Sequence, residues 1–411
     1  MSLQLLTNAR IVDGTTDRPA DPVNILIEGG TIREVGAKVT SAKARVIDLK
    51  NRVTMPGLID CHVHTIAGVA DLGANATLPD SLVMSRAIRI MNGMLMRGFT
   101  TVRDVGGADF GVKLAAEEGV IPMPRVVMSG KALSQTGGHC DFRGRFDDRP
   151  TPKTGFSLGA LGRICDGIEE SRRAAREEIK AGADFIKIMA NGGVASPTDP
   201  IHFMGFAREE ILAIVEEARN AGTYVSAHLY TDEAIRRAVD CGVHSLEHCN
   251  LIETETARFA ADAGAVAVPT LVTYEKLASE GASLGFPKNS VAKIDNVRLA
   301  GLKSLEIMRD AGLTMAYGTD LLGEMHRHQS EEFVIRGRVL KAQEIIASAT
   351  HIAAKLCRMQ GLIGVIAPGA HADIIAVDGN PLDDLTLLTG QGRHMPLILR
   401  GGAIAKRKNL N

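Results

Sequence analysis

An excess of either charge, a long apolar run and a paired-cysteine motif are all missing from this sequence. Its 47 Lys and Arg against 48 Asp and Glu leave a net charge of −1, so no electrostatic signature points to nucleic acid or an anionic membrane as a partner. No apolar stretch approaches the ~20 residues of a membrane span, and the N-terminus shows no charged-then-apolar export segment. The six cysteines (Cys61, Cys140, Cys165, Cys241, Cys249, Cys357) are scattered without a CxxC pair, which argues against a zinc ribbon. Reduced thiols and a cytoplasmic location are therefore expected. Also absent is a GxGxxG frame opening a helix after the first strand; "NGGVASP" and "SQTGGHC" are glycine-containing loops of another kind.

What is present has a clear order. The first fifty-odd residues read as short strands and turns ("LQLLTNARIVDG", "VNILIEGGTIREVG"), and the C-terminal end repeats that texture in "HADIIAVDG" and "PLILRGGAIAK". Between them, apolar strands alternate with helical stretches such as "AREEILAIVEEARNAG" and "DNVRLAGLKSLEIMRDAG". Eight strand-like runs can be counted: "GLIDCHVH", "TTVRDVG", "RVVMSG", "DFIKIMA", "YVSAHL", "HSLEH", "AVAVPTLV" and "TMAYGTD". An α/β chain of this pattern suits a (β/α)8 TIM-like barrel over residues 58–356. Residues 1–57 and 357–411 would form one small β domain built from both chain termini.

In such a barrel chemistry collects at the C-terminal ends of the strands. The first strand ends in "HVH", and residues i and i+2 of a strand share a face, so His62 and His64 could reach one ion. The fourth carries Lys187 inside an apolar run, the fifth ends at His228, the sixth at His248 and the eighth at Asp320. Each alone could be a hydrogen-bonded core residue or a helix cap; six at equivalent places point to a site. Desolvation lowers the pKa of a lysine in an apolar strand. Its neutral amine can take up carbon dioxide as a carbamate, an anion with two oxygens able to bridge two metals. A cationic lysine would instead repel them, and one reaching solvent would be irrelevant to them.

Taken together, "PGLIDCHVH", "FIKIM", "AH", "EH", "GTD" and "GVIAPGAHADIIAVDGNPL" resemble the binuclear members of the amidohydrolase superfamily over essentially the whole chain. The resemblance implies a (β/α)8 barrel with a small β-sandwich domain formed by both chain termini, and it implies that His62, His64 and Asp320 hold one divalent ion and His228 and His248 the other. Carboxylated Lys187 and a hydroxide would bridge the two. Zinc suits these imidazole and carboxylate donors. Such a pair activates water and polarises a carbonyl, with Asp320 taking the proton and passing it to the leaving amine.

"HLYTDEAI" and "SQTGGHCDFRG" resemble the metal-dependent dipeptidase branch, the prolidases or Xaa-Pro dipeptidases. There Tyr230 would assist the oxyanion, and His139 would bind the substrate carboxylate or assist likewise. Arg143 is a second cation for that carboxylate, and His328 of "MHRHQ" a lip residue touching substrate. The superfamily's mononuclear deaminases carry HxxE at the fifth strand; Thr231 stands at that Glu position, which argues against deamination. The expected activity is hydrolysis of L-Xaa-L-Xaa dipeptides, Xaa-Pro included, or of N-acyl amino acids. Alternatives are a cyclic-amide hydrolase of the imidazolonepropionase or dihydroorotase type and a non-enzymatic scaffold. The expected partner is a small-molecule substrate, with a homo-oligomer as the expected assembly.

Overall fold

The computed structural model describes residues 3–149, 157–286, 288–408 and 410. Eight parallel strand positions form the barrel. The first three are Leu58–Val63, Phe99–Asp104 and Arg125–Met128, paired in that order. The third resumes as Ala132–Ser134 after a break and meets the fourth, Ile186–Met189. Val225–Thr231, Ser245–Leu251, Val266–Val268 and Thr314–Met315 follow in sequence. The ring closes where the Cys61 amide donates to the Tyr317 carbonyl (2.8 Å) and the Asp320 amide to the His62 carbonyl (2.8 Å).

The terminal sheet draws on both ends of the chain. Leu3–Ile11 pairs with Val23–Glu28 and Arg45–Asp48 along its first half and with Val53–Pro56 at its end, so it serves two layers. Val53–Pro56 then pairs antiparallel with Ile374–Val377, next to the hairpin Leu397–Arg400 and Ala403–Arg407. Leu6, Ile25, Ile27, Ile47, Ile374, Leu397 and Leu399 fill the core between the layers. Gly57 joins this sheet to the barrel, and a Cβ there would lie 2.0–2.7 Å from the Thr100 side chain. Only glycine allows that approach.

Three stretches depart from the sequence reading. "AVAVPTLV" is strand only over Val266–Val268: Pro269 has no N–H for a ladder, and helix Leu271–Glu280 begins just beyond. "DNVRLAGLKSLEIMRDAG" is two helices, Lys288–Arg298 and Gly301–Asp310. Asn250 Nδ2 donates to the Val297 carbonyl (3.0 Å) where the first one ends. "PLILRGGAIAK" is a hairpin turning at Gly401–Gly402 rather than one strand.

Candidate active site

The barrel's C-terminal mouth brings the six strand-end residues together. His62, His64, Lys187, His228, His248 and Asp320 line one cavity. Asp320 Oδ1 lies 3.4 Å from His62 Nε2 and 3.2 Å from His64 Nε2, and Oδ2 lies 4.0 Å from the His248 ring. The His248 ring centroid is 4.8 Å from that of His62 and 4.7 Å from that of His228. Left-handed backbone marks the place: His248 (φ 69°), Cys249 (φ 57°) and Asp320 (φ 54°) are non-glycine residues in a region such residues rarely enter. At His248 this interrupts strand alternation, so that Glu247 and His248 both contribute to the barrel interior.

Each imidazole has one nitrogen in a hydrogen bond to a group outside the cluster, and at His248 that nitrogen, Nδ1, is also the one 4.0 Å from Asp320 Oδ2. His62 Nδ1 pairs with Glu247 Oε2 (2.7 Å), His64 Nδ1 with the Gly106 carbonyl (2.9 Å), and His248 Nδ1 with Thr270 Oγ1 (2.7 Å). His228 Nε2 meets the Gly192 carbonyl (3.3 Å). A ring nitrogen that donates outward leaves the other with its lone pair free. Burial, with His139 beside His228 and His62 beside His248, pushes both rings well below the usual histidine range and keeps them neutral.

Glu247 is itself fixed by Arg103 (2.9 Å), Ser226 (2.7 Å) and Ser245 (2.6 Å). Burial opposes its charge, yet Arg103 and His62 hold its carboxyl well below the usual carboxylate range. Arg103 also donates to the Cys61 carbonyl (2.7 Å) and lies 4.4 Å from the Phe185 ring centroid. Sequence reasoning missed this pair, although "HSLEH" displays a charged residue inside an apolar strand.

Lys187 is 1% exposed, and its Nζ has no hydrogen-bond partner. Burial pushes its amine down to about 8. An orphaned buried amine among imidazoles and a carboxylate fits the donor set of a divalent-metal site; His62, His248 and Asp320 alone offer three ligand atoms within 4.8 Å of one another.

The rim is loop-built. Tyr230 lines the cavity, and Tyr274 Oη donates to Tyr230 Oη (3.0 Å). Asn191 Oδ1 accepts from the amides of Tyr230 (2.8 Å) and Thr231 (2.9 Å), while its Nδ2 donates to the Ile201 and Phe203 carbonyls. It thereby ties the fifth strand to the 192–205 loop. His139 stacks on His228 (centroids 4.1 Å apart), with Nδ1 on Ser196 Oγ (2.7 Å) and 3.4 Å from Asp199 Oδ2. Ser196 in turn donates to Asp199. Gly193 lies against the His139 ring, where a Cβ would come within 1.8 Å. Lys293 Nζ donates to the carbonyls of Gly193 (3.0 Å), Ser196 (2.9 Å) and Asp199 (3.1 Å).

Two expected substrate contacts lie elsewhere. Arg143 pairs with Asp141 (2.8 and 2.7 Å) and the Arg149 carbonyl (2.7 Å), outside the cavity lining. His328 sits between Glu280 (2.9 Å) and Glu331 (2.5 Å), also outside it. Its neighbour His326 is buried against the Ala67 carbonyl (3.2 Å). The remaining lining is largely apolar, with Leu72, Phe142, Leu161, Val194, Leu277 and Leu322.

Known proteins resemble this chain at several levels of identity. Ochratoxinase of Aspergillus niger is 34% identical over 372 residues, covering 86% of this chain and 76% of that protein. A crystal structure of an amidohydrolase, 52% identical, superposes with a TM-score of 0.97 over 99% of this chain and 100% of that one. A crystal structure of a prolidase complexed with N-methylphosphonate-L-proline, 48% identical, also gives 0.97 with the same coverage. A Xaa-Pro dipeptidase structure with bound methionine is 28% identical, at 0.87 over 98% of this chain and 99% of that one. The amidohydrolase family profile matches residues 53–403, from the last strand before the barrel into the C-terminal hairpin, and the chain belongs to that family.

Proposed function

We propose that this enzyme hydrolyses the amide bond of L-Xaa-L-Xaa dipeptides, Xaa-Pro included, or of N-acyl amino acids. The observation that carries the reading is Lys187, a buried amine without a hydrogen-bond partner near the neutral His228 and His248 rings. As the neutral amine it adds to carbon dioxide, forming an N–C bond and releasing one proton, and becomes a carbamate. His62, His64 and Asp320 would then hold one zinc ion, His228 and His248 the other, with the Lys187 carbamate shared between them. Two such ions supply Lewis-acid polarisation of the scissile carbonyl and water activated at neutral pH.

The chain's own groups account for the rest. Asp320 accepts the proton of the attacking water on a carboxylate oxygen and delivers it to the leaving nitrogen. Burial would raise its carboxyl, but His62 and His64 hold it well below the usual range, so it begins ionised. Tyr230 donates a hydrogen bond to the oxyanion as charge develops there. His139, held at Nδ1 by Ser196, offers Nε2 to the substrate's carboxylate. Apart from Asp320 the described lining carries no carboxylate for a free α-amino group, so an apolar acyl group is accommodated as well as an aminoacyl one. The prolidase that binds a phosphonate derivative of proline supports this class, because a phosphonate imitates a tetrahedral centre beside an imino acid.

The test is a substrate panel: Xaa-Pro and other dipeptides, their N-acyl counterparts, and cyclic amides. Release of a free amino acid from the linear amides is the expected result. Ring opening of cyclic amides without linear hydrolysis overturns the proposal.

A further inference from the structure

We propose that Asp60, Thr319 and Gln329 are positioning residues that hold the Asp320 carboxylate against His62 and His64, with Arg97 supplying the charge that fixes them. Asp60 stands two residues before His62 on the first barrel strand, fully buried and outside the cavity lining. Its Oδ1 accepts from the His62 amide (3.1 Å), and its Oδ2 from Thr319 Oγ1 (2.6 Å) and Gln329 Nε2 (2.9 Å). One carboxylate thus ties the strand that carries His62 to the residue next to Asp320. The Thr319 and Asp320 amides both donate to the His62 carbonyl (3.3 and 2.8 Å), so side chain and backbone close the barrel at one place.

Two features give this clasp a role beyond closing the ring. Asp320 has left-handed backbone (φ 54°), which a non-glycine residue keeps only where its surroundings impose it. Thr319, immediately before it, is the residue the clasp holds. The second feature is Arg97, which is buried and, among the described residues, pairs with no carboxylate. Its Nε and Nη2 donate to Gln329 Oε1 (3.1 Å each), and its Nη1 to Gln391 Oε1 (3.0 Å). With its oxygen turned to the guanidinium, the Gln329 amide presents N–H to Asp60. The cation therefore acts on Asp60 through one amide, and the two bonds polarise each other in a dry interior. The Gln329 carbonyl in turn accepts from Tyr317 Oη (2.7 Å), two residues before Thr319. The inference rests on the two-ion amide-hydrolase reading, and extends it to residues outside the ligand set.

Zinc titration of the metal-free protein, followed by turnover, tests the clasp. Thr319→Val keeps the shape of the side chain and removes its donor. Because Asp320 serves one ion of the pair, one of the two zinc affinities should fall about tenfold or more while the other stays. In turnover kcat should fall about ten- to a hundredfold with KM unchanged. Thr319→Ser, which restores the donor, should behave as the wild type, and Gln329→Met should repeat the valine pattern. If Thr319→Val does not fold, the smaller Thr319→Ala carries the same test. Wild-type zinc affinities and kcat in the folded donor-less variant overturn the clasp. So does an equal loss of both affinities, or a serine variant as damaged as valine. A wild type that takes up no zinc is a different result: it overturns the two-ion reading, and the clasp with it.

Discussion

The two halves of the cavity are held by different means. On one side His62, Lys187, His228 and His248 stand on barrel strands, with His64 one residue past the end of its strand, and backbone ladders set their places. On the other, His139 belongs to a loop fixed by side chains reaching backbone: Asn191 to Ile201 and Phe203, Lys293 to three carbonyls of the 193–199 segment. The first half is thus specified by strand register, and the second by contacts between residues far apart in the chain. Damage to the strand half should abolish chemistry or stability, and damage to the loop half should weaken substrate binding.

The largest expected effect is at Lys187. Lys187→Ala should lower kcat/KM at least about a thousandfold, with partial recovery when a short carboxylic acid stands in for the carbamate. Wild-type rates in that variant would remove Lys187 from the site. Next comes Glu247→Gln, which leaves the Arg103 charge buried without its counter-ion (both side chains are 0% exposed). A loss of about 3–5 kcal/mol in denaturant unfolding is expected. A change below about 1 kcal/mol would mean that the pair does not brace the strand half.

A pH series separates the halves further. In the metal-free protein Lys187 titrates near 8, against 10.5 for an ordinary lysine. Between those values the unfolded chain binds the proton that the folded chain has lost, so stability rises with pH through this window and the penalty is complete below it. The gain, read as wild type minus Lys187→Met, should be about 3 kcal/mol; parallel curves for the two proteins would contradict it. The smallest effect belongs to the loop. Lys293→Met should raise KM about three- to tenfold with kcat and zinc content nearly unchanged. A fall in zinc content would show that the two halves are not separable.

The same division explains what could be read from the sequence. A strand displays its inward residues at fixed spacing, so "HVH" and the strand-end His228, His248 and Asp320 were legible, as were the eight barrel strands and the paired terminal segments. Glu247 was in plain view in "HSLEH", but its role depends on the left-handed turn at His248, which no spacing rule reports. Thr270 was concealed because "AVAVPTLV" reads as one strand, whereas Pro269 ends it and a helix starts. Lys293 lies 100 residues from Gly193, and nothing local connects them. Arg143 and His328 show the converse: side chains close in sequence to site residues whose carboxylate neighbours hold them outside the cavity.

The central claim is that Lys187 turns a cluster of histidines into a two-ion site. The most direct test is the zinc content of the purified protein after loading with zinc and bicarbonate. About two ions per chain are expected, falling when carbon dioxide is excluded. Less than one ion per chain, unchanged by bicarbonate, would contradict it.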